Sequence, residues 1–257
     1  MKTNKLILVT NDDGIFAPGL ASLARTASQF GDVVIVAPNS PQSGMGHAIT
    51  INQPIRLNRI HTFPNMDAYE CSGTPVDCVK LAKNVILKNR PIDICLSGIN
   101  HGSNASINII YSGTMSAAME ASLENIPSIG FSLLDYSFEA DFEASTEFVS
   151  AIIEKALSIG INNCNLLNVN IPKLKKNEIK GIKVCKQAEG RWDEEFMEAK
   201  DPRNEPYYWL TGKFVSSDSG TDSDIWALEN GFISVVPSGH DLTVYKAIQT
   251  NKYFETL

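Results

Sequence analysis

The sequence predicts an α/β protein with a Rossmann-like, mainly parallel sheet covered by helices on both faces. Three observations carry this. Short apolar runs such as Leu6-Ile7-Leu8-Val9 and Val33-Val34-Ile35-Val36-Ala37 alternate with helical patterns. Those runs are apolar throughout, as strands buried on both faces are. Loops that follow the strand ends share a small, polar composition, and open α/β sheets carry their ligands beyond the carboxyl ends of their strands.

Each element follows from local pattern. The first strand, Leu6–Val9, empties into Asn11-Asp12-Asp13-Gly14, and Pro18-Gly19 opens a helix. Leu20, Leu23, Ala24 and Ala27 share one face of that helix, predicted over 18–30, with Gly31 at its C-terminal cap. Val33–Ala37 is a second buried strand, stopped by Pro38, and the loop 39–46 follows. His47–Ile51 alternates like a half-exposed strand, and 55–60 pairs nearby. Tyr69–Cys71 is a further strand. Thr74 then reads as a helix N-cap with Pro75 at the first helical position, and the helix runs to 87. Ile92–Leu96 forms the next strand, ending at Ser97-Gly98-Ile99-Asn100. A polar loop to Gly113 precedes a helix over 114–124, and Ser128–Phe131 is a strand. A long helix carries Val149, Ile152, Ile153 and Ala156 as its apolar stripe. After Leu166–Pro172 the character changes to short strands, turns and aromatics, including Trp192, Tyr207, Tyr208, Trp209 and Trp226. One domain over 1–257 is expected, with a core of 1–172. The hairpin-rich segment 173–257 suits a subunit interface or closes over the core of one subunit.

Composition narrows the function. A chain of 257 residues with 43% hydrophobic and 20% charged residues is an ordinary globular mix, long enough for a sizeable core. A net charge of -7 argues against a nucleic-acid polymer as partner. The five cysteines form no CxxC pair and no even set, so neither a disulfide framework nor a zinc site is expected; Cys78 and Cys95 read as small core hydrophobes. The first residues, Met1–Lys5, lead directly into a strand without a signal-peptide pattern, and no apolar run has membrane-spanning length. Cytoplasmic location is the default expectation.

The chemistry gathers in three loops at strand ends. The first holds Asp12 and Asp13, the second Ser43, the third Asn100, Gly102, Ser103 and Asn104. Taken alone, Asp-Asp-Gly is also ordinary turn chemistry. Two adjacent acids at a buried strand end are costly without a positive partner, most simply a divalent cation. The loops offer carboxylate, hydroxyl and amide oxygens, a set that favours Mg²⁺, Mn²⁺ or Ca²⁺ over zinc. Neighbouring strand residues face opposite sides, so the chain must already turn at Asp12 and Asp13 for both to serve one ion, and Gly14 helps it turn. Tyr111-Ser112-Gly113-Thr114 opens a helix, whose free N–H groups make either a phosphate cradle or a plain N-cap. No GxGxxG, GxxxxGK[ST] or GxSxG occurs, which excludes a dinucleotide fingerprint, a Walker loop and a nucleophile elbow. Ser43 is therefore read as a ligand. Among the four histidines, His101 is the foremost candidate for proton transfer or phosphate contact, followed by His47.

These segments resemble the SurE family of metal-dependent nucleotidases. Asn11–Gly14, Val36-Ala37-Pro38 with Ser43-Gly44, Ser72–Pro75, Ser97–Asn104 and Tyr111–Thr114 match it in order and spacing. Leu167–Pro172, Asp201-Pro202, Tyr207–Trp209, Thr221-Asp222, Pro237 and Asp241–Thr243 extend the match over nearly the whole chain. The resemblance implies hydrolysis of nucleoside 5'-monophosphates to nucleoside and phosphate, with 3'-nucleotides or short polyphosphate accepted by some members. It implies one divalent ion per subunit, Mg²⁺ or Mn²⁺, held by Asp12, Asp13, Ser43 and Asn100. It also implies a homo-oligomer, dimer or tetramer, built through C-terminal segments. Many members carry Asp, Gly and Gly where Asn39, Ser106 and Ala121 stand here, and the departure at Ser106 is expected to alter the loop that shapes the substrate mouth and with it substrate preference.

On this reading Asp12, Asp13 and Asn100 are the catalytic set. Asn104, Ser112, Gly113, Thr114 and His101 contact the substrate phosphate. Two other classes stay open. One is a non-catalytic nucleotide sensor built on the same loops. The other is an aspartyl-phosphate enzyme, which wants acids two residues apart where this chain has them adjacent.

Overall fold

A computed structural model describes residues 5–137 and 139–256, so the expected lead-in at Met1–Asn4 lies outside the described residues. The elements run β1 (Leu6–Thr10), α1 (Pro18–Ala27), β2 (Asp32–Pro38), β3 (Leu57–Ile60), β4 (Asp67–Cys71), α2 (Pro75–Leu81) and β5 (Ile94–His101). Then come α3 (Gly113–Leu123), β6 (Ser128–Leu133), α4 (Thr146–Ile159), β7 (Leu166–Ile171) and β8 (Ile182–Val184). The chain closes with β9 (Gly190–Lys200), β10 (Pro206–Ser216), α5 (Asp224–Glu229), β11 (Ile233–Ser238) and α6 (Tyr245–Ile248).

Nine strands form one sheet in the order β3-β4-β2-β1-β5-β6-β7-β11-β8. Its centre is parallel, and β3 and β11 run antiparallel to their neighbours β4 and β7. The period-two alternation along β1 splits the core. Ile7 and Val9 face a layer with Leu20, Leu23 and Ala24 of α1 and Val149 and Ile153 of α4. Leu6 and Leu8 face the opposite layer, with Cys78 and Val79 of α2 and Ala117 and Ala121 of α3. The predicted α/β class, with helices on both faces, is therefore the observed one.

Several local expectations differ. α1 ends at Ala27, with Ser28 as its cap. Gly31 is needed for another reason: a Cβ there would stand 2.3 Å from the Lys5 carbonyl oxygen. Residues 47–51 alternate in exposure but form no strand. Their backbone is instead tied to α2, where Thr74 Oγ1 donates to the Ala48 carbonyl (2.7 Å) and Asp77 accepts from Thr50 N–H (3.2 Å). The predicted cap of α2 is present and doubled, because Thr74 and Asp77 bond each other's backbone N–H. That helix stops at Leu81 and relaxes into a π-helical turn, Ala82–Ile86. β5 runs on through Ser97–Asn100, where the sequence places the strand's end, to His101. It does so with a register shift against β6 between Ser97 and Asn100, and the Gly98–Ile99 peptide is cis.

The segment after 172 does not stand apart from the core, since β8 and β11 extend the same sheet. Among the described residues, the β9–β10 hairpin alone stands outside that sheet, as a separate two-stranded sheet. No helix among the described residues is long and apolar enough to cross a membrane.

α1 packs across β5 at Gly19, where a Cβ would lie 2.0 Å from the Ile99 carbonyl oxygen. Backbone cannot yield as a side-chain tip does. Gly19→Ala is therefore expected to cost about 3 kcal/mol, the upper end of overpacking penalties. Urea unfolding at constant m-value measures it, and a loss below about 0.5 kcal/mol would refute the tight crossing.

Candidate active site at the carboxyl edge of the sheet

β2, β1 and β5 are neighbours and parallel, so the loops that leave their carboxyl ends converge. After β1 the chain turns at once. Gly14 adopts φ +100°, and Asn11 Nδ2 donates to its carbonyl at 3.0 Å. The β2 loop is tied to this turn: Gln42 N–H donates to the Asp12 carbonyl at 2.7 Å, and Ile15 N–H to the Pro38 carbonyl at 2.8 Å. Ser43 follows Gln42 directly, exposed at the same edge.

Asp12 is 3% exposed. Its carboxylate accepts a hydrogen bond from the Thr114 hydroxyl, and the N-terminus of α3 closes against it. A Cβ on Gly113 would stand 2.7 Å from Asp12 Cβ, so only glycine allows this approach. Burial, then the charge of Asp13, push the Asp12 carboxyl up to about 6 against the pull of Thr114. Burial also raises Asp13, which accepts the His101 backbone N–H at 3.3 Å. Asn100 donates its amide to the carbonyls of His101 (3.2 Å) and Gly102 (2.9 Å), so Oδ1 is the end that could hold a cation. His101 Nδ1 lies 3.1 Å from the Ser137 carbonyl, which can only accept, so the proton sits on that nitrogen and Nε2 remains for exchange. Its ring stands edge-on to Phe142 at 5.0 Å.

The remaining predicted contacts are differently employed. Ser112 is the N-cap of α3, with its Oγ accepting from Met115 N–H at 3.0 Å. Thr114 spends its hydroxyl on Asp12. Thr114 N–H also bonds Asp12, so of Ser112–Thr114 the expected phosphate contacts reduce to the Gly113 N–H at the helix start. Asn104 donates its amide to Ser132 Oγ (2.8 Å), its N–H to Asn170 Oδ1 (2.8 Å), and accepts from Asn168 at its carbonyl (2.8 Å). It anchors the loop to β6 and β7 with its amide nitrogen, where the sequence places it among the phosphate contacts.

The donor set suits a hard divalent cation. All candidate ligands are oxygens, two of them from a hydroxyl and an amide, and among the described residues no three His, Cys, Asp or Glu side chains group as a metal cluster. Buried Asn11 Oδ1 has no hydrogen-bond partner among the described residues. Residues 10–16, 39–47, 97–104 and 111–114 contain no Lys or Arg. Two carboxylates so placed carry negative charge that no Lys or Arg of these segments offsets, a setting that a divalent cation would suit.

Two supports escaped the sequence reading. Glu120 of α3, buried, holds Lys80 and also His47 Nε2 at 3.0 Å, which pins the end of the Ser43 loop. Asp224, fully buried, accepts from the N–H groups of Ser106 (2.8 Å), Ala188 (2.9 Å) and Ile225 (2.8 Å). Ser106 itself sits at φ +54°, where glycine is at ease, and its hydroxyl donates to the Ala188 carbonyl at 2.8 Å. No local pattern marks either support, because the partners are far apart in sequence.

Comparison with known proteins points one way. The family described as Survival protein SurE matches residues 7–194. A protein of Flavobacterium psychrophilum named 5'-nucleotidase SurE is 58% identical over 245 residues, 95% of each chain. One of the same name from Alkaliphilus metalliredigens is 38% identical over 96% of this chain and 97% of its own. Among solved structures, the SurE protein of Aquifex aeolicus superposes with a TM-score of 0.84 at 40% identity, covering 97% of this chain and 99% of its own.

The burial of Asp12 has a measurable sign. The folded state keeps its proton up to about pH 6, whereas the unfolded chain releases it near 3.8. Unfolding free energy therefore falls as pH rises through that window and levels off above it. Relative to metal-free parent, metal-free Asp12→Asn should gain on the order of 3 kcal/mol between pH 4 and pH 7. Parallel urea curves for the two proteins across that range would exclude the effect.

Proposed function

The chain belongs to the SurE family and is a hydrolase of the 5'-nucleotidase kind, and we propose that it works as a divalent-cation-dependent phosphomonoesterase on nucleoside 5'-monophosphates. The observation that carries this reading is the pair Asp12 and Asp13 at the end of β1, closed on by the amino end of α3, with no Lys or Arg in residues 10–16, 39–47, 97–104 and 111–114. Asp12, Asp13, Ser43 and Asn100 would hold the ion, Mg²⁺ or Mn²⁺, one per subunit. When bound, it supplies the positive charge that neutralises the phosphoryl oxygens and orients a water for in-line attack.

The chain's own groups do the rest. Asp12 is the fixed anchor, its rotamer locked by Thr114. Asp13, less buried, is the group that takes the proton of the attacking water, and burial that raises its carboxyl suits it to that task. The α3 amino end, with Thr114 N–H engaged by Asp12 and Met115 N–H by Ser112, offers the Gly113 N–H and the positive end of its dipole to the phosphate. His101, its Nδ1–H donating to the Ser137 carbonyl, would protonate the leaving alkoxide from Nε2 when it enters the reaction as the doubly protonated imidazolium, and would leave it as the neutral ring.

The β9–β10 hairpin supports a homo-oligomer, dimer or tetramer. Phe196, Met197, Tyr208, Trp209 and Leu210 are all more than half exposed on strands that pair only with each other. Sedimentation should give a multiple of 28.1 kDa, and Tyr208→Glu with Trp209→Glu should shift it to the monomer. A parent sedimenting as monomer at micromolar concentration would refute this.

Phosphate release from EDTA-stripped protein, with and without Mg²⁺ or Mn²⁺, tests the activity. Metal-dependent release is expected, and a panel with 3'-monophosphates and tripolyphosphate ranks secondary substrates. Asp13→Asn should abolish turnover with the fold intact. Gly113→Ala should lower kcat by about 100-fold, since an ångström-scale displacement at a reacting site costs that much. Full activity of Asp13→Asn at saturating metal would overturn the assignment, and no release by folded parent with any metal would overturn the phosphomonoesterase reading.

A further inference from the structure

Tyr136, in the turn after β6, is 74% exposed, more than the other exposed aromatic side chains of the described residues. Most rings so exposed are free to move, but this one is held at two points. Its hydroxyl accepts the Ser103 N–H at 3.4 Å, and its edge lies against Gly102, where a Cβ would come within 2.2 Å of Tyr136 Cε1. Gly102 sits at φ +100°, a conformation glycine adopts without cost, so the backbone there is shaped to receive the ring.

The seat of the ring ties it to the site. Gly102 accepts the Asn100 amide through its carbonyl, so the ring rests on the same short loop that presents the Asn100 ligand. The turn beneath is braced as well. Asp135 accepts from Ser137 N–H (3.0 Å) and Lys173 Nζ (2.9 Å), His101 Nδ1 faces the Ser137 carbonyl, and Gly102 N–H donates to the Leu133 carbonyl (2.8 Å). An oriented ring with an open side therefore flanks an oxygen-lined, phosphate-competent edge. A ligand with an anionic phosphate at one end and a planar aromatic group at the other fits that pairing.

We infer that Tyr136 is a specificity-determining residue that stacks against the base of the nucleotide. The inference rests on the nucleotidase reading of the neighbouring site. Stacking on an aromatic side chain is tolerant of base identity, because every base has a π-face, so Tyr136 would favour nucleotides over base-free phosphomonoesters without selecting among bases.

The test compares Tyr136→Ala and Tyr136→Phe with parent at saturating Mn²⁺, on a nucleoside 5'-monophosphate and on ribose 5-phosphate. The Ala variant should raise KM for the nucleotide about tenfold, within the range of single-base stacking, with kcat within about twofold. Its kcat/KM for ribose 5-phosphate should match parent, and the Phe variant should match parent on both. Equal loss on both substrates, or none on the nucleotide, would overturn the inference. Calorimetric titration with the nucleoside alone separates this from the activity itself. Tyr136-dependent nucleoside binding in a protein that hydrolyses neither ester would retire the nucleotidase reading and keep the platform. Binding unaffected by Tyr136→Ala would retire the platform.

Discussion

The burial of Asp12 against the amino end of α3 is the constraint on which the rest of the site depends. A carboxylate 3% exposed is expensive to hold in a protein interior, and here it is met by one hydroxyl, a helix dipole and backbone N–H groups. That closeness requires glycine at 113 and a helix able to sit close against the sheet and α2. α3 meets the second demand with small side chains, Ala117, Ala118 and Ala121, and is buried on nearly all sides. β6 yields to it as well: a Cβ on Gly130 would lie 2.3 Å from Met115 Sδ. The helix is shaped by the site as much as by the core.

Around that centre the loops are held by buried polar groups rather than by apolar packing. Asn104, Ser132, Asn168 and Asn170 form a closed set of hydrogen bonds under the β5 loop. Asp224 gathers three backbone N–H groups, including that of Ser106. Glu120 joins the Ser43 loop to α2 and α3. Satisfied networks of this kind lose much if one partner is removed, so they fix a single loop geometry where apolar contacts would allow sliding. Preorganisation of that sort is what charge stabilisation at a phosphoryl group demands.

The residues expected at the site lie in short contiguous motifs after strands, and the structure brings Asp12, Asp13 and the Asn100 loop to one sheet edge, while the Thr74-Pro75 helix start was readable down to its cap. Roles were less legible than identities. Thr114 reads as a phosphate contact yet locks Asp12, and Asn104 reads likewise yet braces a loop. Local pattern shows that a polar residue is near a strand end but not which way it turns. Gly31 shows the same limit, since its reason lies in the Lys5 carbonyl rather than in a helix cap.

Periodicity and strand-end chemistry by themselves determined the α/β class, the order of the central elements and the acidic edge of the sheet, because these depend on contacts close in sequence. Tertiary structure alone decided that β8 and β11 extend the core sheet and that α3 seals Asp12. It also decided that the turn at Tyr136 leans on the loop of Asn100. Each joins residues tens of positions apart, and only the closed chain brings them within hydrogen-bond or van der Waals range.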